Sequence, residues 1–213
     1  MKADRGCGIA LLFLTAVILV ACSSTPTSTP ATQPPPAPVK KEPILYTGKS
    51  CMSQMAGLAA RWQPDALPVH MESSVNAESN GQGGKATVWR GMFASASRVT
   101  NRTFTCSGSR LKDEPAVGVT SSAESASGPM IATAMFQPFM LATDSDKAYE
   151  VALQHGGDAL IKKDAQQPVI YTLDWDSKKK ELVWGVVFGT SVANSKGVGI
   201  INANTGQFLR AGK

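Results

Sequence analysis

Between residues 44 and 213 the spacing of hydrophobic positions changes from helical to strand-like, and the same change occurs twice. From Thr47 onward, Cys51, Met55, Leu58 and Trp62 fall at i, i+4, i+7 and i+11, one face of a helix. Thr47 offers an N-cap hydroxyl and Pro64 stops the helix. Strand-like runs follow at 67–72, 86–95 and 102–107, with Asn80-Gly81-Gln82-Gly83-Gly84 as the turn after the first. A second helix is expected after Asp144 or Ser145, with Asp146 in its first turn, where a negative charge suits the helix dipole. Ala148, Val151, Ala152 and His155 share its face. Gly156-Gly157 either ends this helix or weakens it, since Ala159-Leu160-Ile161 continues the pattern. Strands are then expected over 169–174, 182–190 and 197–202. A turn at Asn204-Thr205-Gly206 leads to a short strand at 207–209.

The two passages also match in sequence. Val88-Trp89-Arg90-Gly91-Met92-Phe93-Ala94-Ser95 aligns with Val183-Trp184-Gly185-Val186-Val187-Phe188-Gly189-Thr190 at an offset of 95. At that offset 103–107 falls on 198–202, and Leu58 falls on Leu153. The fold class expected is α+β. Two antiparallel units, each a helix plus three or four strands, occupy 44–128 and 144–213, joined by an apolar connector at 129–143. Trp89 and Trp184 hold equivalent positions and read as sheet-face packing. Trp62 and Trp175 lie outside this match and fit either a core or a groove wall.

Val198-Gly199-Ile200-Ile201-Asn202-Ala203-Asn204-Thr205-Gly206 resembles the close of a PepSY-type domain. That family typically ends in an apolar strand and a turn of the form Asp-Ala-x-Thr-Gly, and here Asn202 stands where it often has Asp. The resemblance runs over 146–209. It is weaker in the first half, where Cys106-Ser107-Gly108 takes this place; Tyr46-Thr47-Gly48 adds a likeness to secreted proteins with two such halves. The resemblance implies a helix packed on a small antiparallel sheet. It also implies a binding or inhibitory module, since PepSY domains occur in peptidase propeptides. It transfers no catalytic residue.

Ahead of this body lies a leader. Lys2 and Arg5 precede an apolar run at 9–20, short for a membrane span. Leu19-Val20-Ala21-Cys22, followed by Ser23-Ser24, resembles the lipobox of a bacterial lipoprotein signal. That resemblance implies cleavage before Cys22, a diacylglycerol on its thiol, and acylation, palmitate included, of the new amine. Ser23 stands where an Asp would mark the inner membrane, which implies an outer-membrane lipoprotein facing the periplasm. Residues 23–43 are mostly Ser, Thr, Ala and Pro and hold seven of the thirteen prolines. Such a stretch buries too little apolar surface to fold and reads as a spacer. At ~3.1 Å per residue it reaches on the order of 60 Å.

Removal of 1–21 leaves 19 basic and 15 acidic residues, a net charge of +4. Apart from Lys40-Lys41, Lys162-Lys163 and Lys178-Lys179-Lys180 the basic residues are scattered, without the stripe or aromatic interleaving of a nucleic-acid surface. With Cys22 assigned to lipid, Cys51 and Cys106 remain as a candidate pair in an oxidising compartment. Cys51 is on the apolar face of the first helix and Cys106 shares a strand face with Phe104, so the two can meet. The alternative is two buried free thiols.

The connector is rich in Met and Phe. Met130, Met135, Phe136, Phe139 and Met140 either join the cores of the two halves or form a partner-binding surface. Catalytic patterns are missing from the sequence. His70 and His155 make no metal motif. Gly48-Lys49-Ser50 lacks the earlier glycine of a phosphate loop, Pro43 standing in its place. Asp174, Asp176 and Glu181 fit a hairpin rim better than a cation site. Asn101-Arg102-Thr103 spells a glycosylation acceptor, which is idle behind a bacterial signal. No enzyme, cofactor or metal is expected. The leading expectation is a membrane-anchored, non-catalytic binding or inhibitory module for a protein, peptide or envelope component. The alternatives are a structural envelope protein and, more remotely, a hydrolase with an unrecognised site.

Overall fold

The computed structural model of the protein describes residues 41–128 and 130–212. Cys22, the signal segment and the spacer up to residue 40 lie outside the described residues. Thr47 closes a two-residue strand, β1 (Tyr46–Thr47), and opens helix α1 (Gly48–Trp62), its hydroxyl accepting from the Ser50 amide. The chain continues through β2 (Leu67–Ser74), β3 (Lys85–Ala86), β4 (Val88–Ser95), β5 (Thr100–Ser107), β6 (Gly118–Ser121) and β7 (Ser125–Ala126). After the connector come α2 (Ser145–Ala152), a π turn (Leu153–Gly157) and α3 (Asp158–Lys163). Strands β8 (Ile170–Asp176), β9 (Glu181–Gly189), β10 (Ser195–Asn202) and β11 (Phe208–Gly212) complete the order.

Eight strands lie side by side in the order β11-β10-β9-β8-β2-β4-β5-β6, every neighbouring pair antiparallel, with β7 added against the start of β5. The sheet is therefore continuous across both halves of the chain. Its middle joint is β2 against β8, in the register His70 to Asp174, Met71 to Leu173 and Glu72 to Thr172. On each side of that joint stand four strands from one half.

Alternation along the strands separates two faces. Met71, Trp89, Leu173, Trp184 and Ile201 are fully buried and share one core with Met55 of α1 and Ala148 of α2. His70, Glu72, Arg90 and Asp174 fall on the other face. Trp89 and Trp184 meet edge to face, 6.2 Å between ring centroids. Their indole N–H groups donate to Tyr46 O and Thr143 O, each at 2.9 Å. Each tryptophan thus ties its strand to the residues just before a helix. The helix starts also meet each other. Gly48 N donates to Ser145 Oγ and Lys49 N to Asp144 Oδ1, both at 2.8 Å, while Asp144 also accepts from Ser145 N. One carboxylate caps two helices.

The structure departs from the sequence reading at three places. The run 86–95 is divided at Thr87, because β3 leaves the main sheet to pair with β1. The segment at 121–128, where the sequence reading places no strand, carries the end of β6 and all of β7. Its side chains are nearly all exposed, so no apolar alternation marks it. The second helix weakens at Gly156-Gly157 and resumes over Ala159-Leu160-Ile161, in keeping with the sequence, but it does so through a π turn that takes His155 off the shared face. His155 (φ −107°) and Gly156 (φ 108°) leave the helical region. His155 is consequently exposed rather than on the core face with Ala148 and Ala152.

Candidate functional site

The feature most like a site lies at the β11 end of the sheet, beneath the π turn. Gly156 permits the turn because its φ of 108° suits a residue without Cβ. The turn swings His155 outward onto Phe208, where the rings stack at 3.9 Å and 4°. Under the turn, β10 presents Gly197 and Gly199 in phase with the buried Ile201, so the sheet offers backbone where side chains would otherwise fill. Gly157 packs against Phe188 so closely that a Cβ would lie 2.1 Å from the ring. The result is a pocket of about 230 Å³, walled by Leu160, Phe188, His155 and Lys196 and reaching Ala211 and Gly212 of β11. β11 is the outermost strand on this side. Lys196 is 3.3 Å from Asp164, and Arg210 is 3.8 Å from Asp176, all at least partly exposed. The arrangement offers apolar contact and hydrogen bonding.

A charged ladder crosses the middle joint on the opposite face. His70 Nδ1 lies 2.7 Å from Asp174 Oδ1, and Nε2 lies 3.7 Å from Glu72 Oε2. The Asp174 hydrogen bond, helped by Glu72 and opposed by burial, raises the His70 pKa to about 9. His70 holds Glu72 below its ordinary 4.5. The imidazolium therefore clamps β2 to β8, and its contribution has a defined pH window. It is full below the unfolded histidine value near 6.5 and is lost as pH rises through about 9. The Glu72 contribution is present above 4.5 and is lost as pH falls. Thermal melts should accordingly show a decline in stability from pH 6.5 to 9 that His70→Gln largely removes. Parallel profiles for the two proteins would mean that the clamp adds nothing to stability.

Other residues singled out from the sequence are dispersed. Cys51 and Cys106 are joined in a disulfide, Cα atoms 5.6 Å apart and both buried. The connector splits by position. Phe136 is buried in the common core, so of the two alternatives for the connector it takes the joining of cores and not the partner-binding surface. Met135 is half-buried, Met140 packs partly against the core, and Met130 and Phe139 are 70% and 81% exposed. Asp174 and Asp176, read together as a hairpin rim, face His70 and Arg210 respectively. Trp62 takes the core alternative in part. It packs on Phe104 under the Arg102 guanidinium and donates to Glu124 at 2.7 Å. Trp175 is partly buried against the core. The amides of Gly48 and Lys49 donate to Ser145 and Asp144 at the α2 start. Among the described residues no helix is long and apolar enough to cross a membrane.

Sequence reasoning missed the pocket because it is made by absent side chains. The available signals were Gly156-Gly157 and the Gly197-x-Gly199 alternation in phase with Ile201. No family model and no curated protein matches the chain. Among solved structures the chain is similar to a "putative lipoprotein (CD1622)" from Clostridium difficile 630, at 10% identity and a TM-score of 0.49, over 75% of this chain and 90% of that one. So distant a likeness carries nothing about activity. The PepSY-type resemblance accordingly rests on residues 146–209 of the sequence.

Proposed function

We propose that the protein is a lipid-anchored component of the bacterial cell envelope that binds a peptide or protein segment without transforming it. Cys22 carries the lipid, and the chain is held at the outer membrane on its periplasmic side. The two halves act as tandem PepSY-like units fused through β2 and β8. In support of that reading, each half sets a helix before four strands that are neighbours in the sheet, and each places its equivalent tryptophan against the chain leading into its helix. The single observation that carries binding is the outer edge of β11, which among the described residues has no neighbouring strand and lies beside a walled pocket. An open strand edge is a ready partner for another extended chain.

Two measurements test this. Labelling with an alkyne fatty acid should mark the wild-type protein and leave Cys22→Ser unlabelled, with that variant moving out of the membrane fraction. Equal labelling of both would remove the anchor. Crosslinking in intact cells, followed by purification, should then recover a reproducible protein or peptide adduct. Recovery of the protein alone, at crosslinker levels that trap known envelope complexes, would count against a binding role.

A further inference from the structure

Resting on the binding reading above, we propose that the β11 edge takes an extended peptide as an added strand, one apolar side chain of which enters the pocket beneath the π turn. The edge and the pocket are separate observations that specify one occupant. β11 pairs with β10 on one side and, among the described residues, has no strand on the other, so its outward backbone groups match another extended backbone. The pocket is lined in part by the same strand, at Ala211 and Gly212. In a strand successive side chains point to opposite faces, so an added segment sends alternate residues toward the helix side. There Leu160, Phe188 and the bare backbone of Gly197 and Gly199 form an apolar receptacle. Its volume of about 230 Å³ suits one aliphatic or aromatic side chain and falls below the roughly 300–1,000 Å³ of small-molecule pockets.

Arg210 sets the chemistry of the other face. It lies midway along β11 with an exposed side chain. A second copy pairing edge to edge about Arg210 would set the two guanidinium groups opposite each other, which is destabilising. A segment with Asp or Glu opposite Arg210 gains from the same position. The occupant is thus a strand of another protein in which an acidic residue is followed or preceded by an apolar one.

Selection from a phage-displayed library of random linear peptides on the full-length protein in detergent tests the proposal. Enriched sequences should alternate acidic and apolar positions. The leading peptide, made synthetically, should shift the amide resonances of residues 196–199 and 208–212. Gly197→Leu fills the pocket and should weaken binding about tenfold or more. Gly197→Ala serves as the folding control, because its Cβ meets only the tip of Leu160, at 3.1 Å. N-methylation of alternate peptide amides should abolish binding by blocking the strand pairing. No enrichment, or a selected peptide indifferent to both Gly197→Leu and N-methylation, overturns the site. If the site fails while the intact-cell adduct persists, binding stands and its location is elsewhere. Loss of both removes the binding reading as well.

Discussion

Gly84→Ala is expected to be among the most damaging single substitutions in the protein, lowering stability by about 3–5 kcal/mol. Two independent costs meet at this residue. Its φ of 75° lies in the left-handed region, where a side chain costs roughly 1–2 kcal/mol. A Cβ there would also lie 2.2 Å from the Asp146 Cα and 2.4 Å from the Asp146 N, and backbone cannot yield as a flexible side chain can. The surrounding hydrogen bonds fix the position further. Gly84 N donates to the Tyr171 hydroxyl, which donates to Gly81 O, and Gly84 O accepts from the Ser145 hydroxyl at 2.6 Å. Burial pushes the Tyr171 hydroxyl pKa upward, so it stays protonated and keeps donating. Gly84 is therefore where the turn of the first half seats the first residues of α2. Gly83 provides the control. Its φ of 72° is nearly the same, but nothing lies within 4 Å of its Cβ position. Gly83→Ala should cost only about 1 kcal/mol. Denaturant melts of the two variants should therefore diverge widely. Similar midpoints would show that the contact with α2 contributes little.

That contrast marks the limit of what the sequence discloses. Helix α1 could be placed because Cys51, Met55, Leu58 and Trp62 repeat at helical spacing beneath a one-sided core, and Thr47 and Pro64 bound them. β9 could be placed because Trp184 repeats Trp89 within matching apolar runs. Gly81, Gly83 and Gly84 were legible as a turn, but not that Gly84 must press on α2. The joint between β2 and β8 was also hidden. His70 and Asp174 stand 104 residues apart, and neither strand bears a local signal naming its partner. Such pairing is decided by the global fit of two edges and the helices above them. The connector shows the same limit at finer scale. Its Met and Phe residues have similar hydropathy, yet Phe136 is buried and Phe139 is exposed because the chain turns between them at Pro138. Pocket residues were least legible of all. A pocket is a set of missing side chains, and Gly197 and Gly199 gain meaning only from the helix that breaks above them.

Removal of the Cys51–Cys106 disulfide should lower stability by about 4 kcal/mol, and the melting temperature by roughly 10 °C. The bond spans 55 residues, so its loss releases a long loop in the unfolded chain. It also joins α1 directly to β5, across the core of the first half. Two effects must be separated, since both sulfurs are buried and their removal alters packing as well. Cys51→Ala with Cys106→Val keeps an apolar side chain on the β5 site, whose repeat counterpart is the buried Ile201. If the cross-link dominates, this variant and the double alanine variant should lose similar amounts. If packing dominates, valine should restore most of the loss, and the chain-entropy account would fail. Hydrogen exchange adds the spatial half of the test. A loss confined to local opening should fall on α1 and β5 and leave the β9 and β10 amides protected. A uniform loss would mean that the two halves unfold as one unit, as the continuous sheet and shared core favour. In that case the bond in the first half sustains the β11 edge in the second, although neither cysteine lines the pocket.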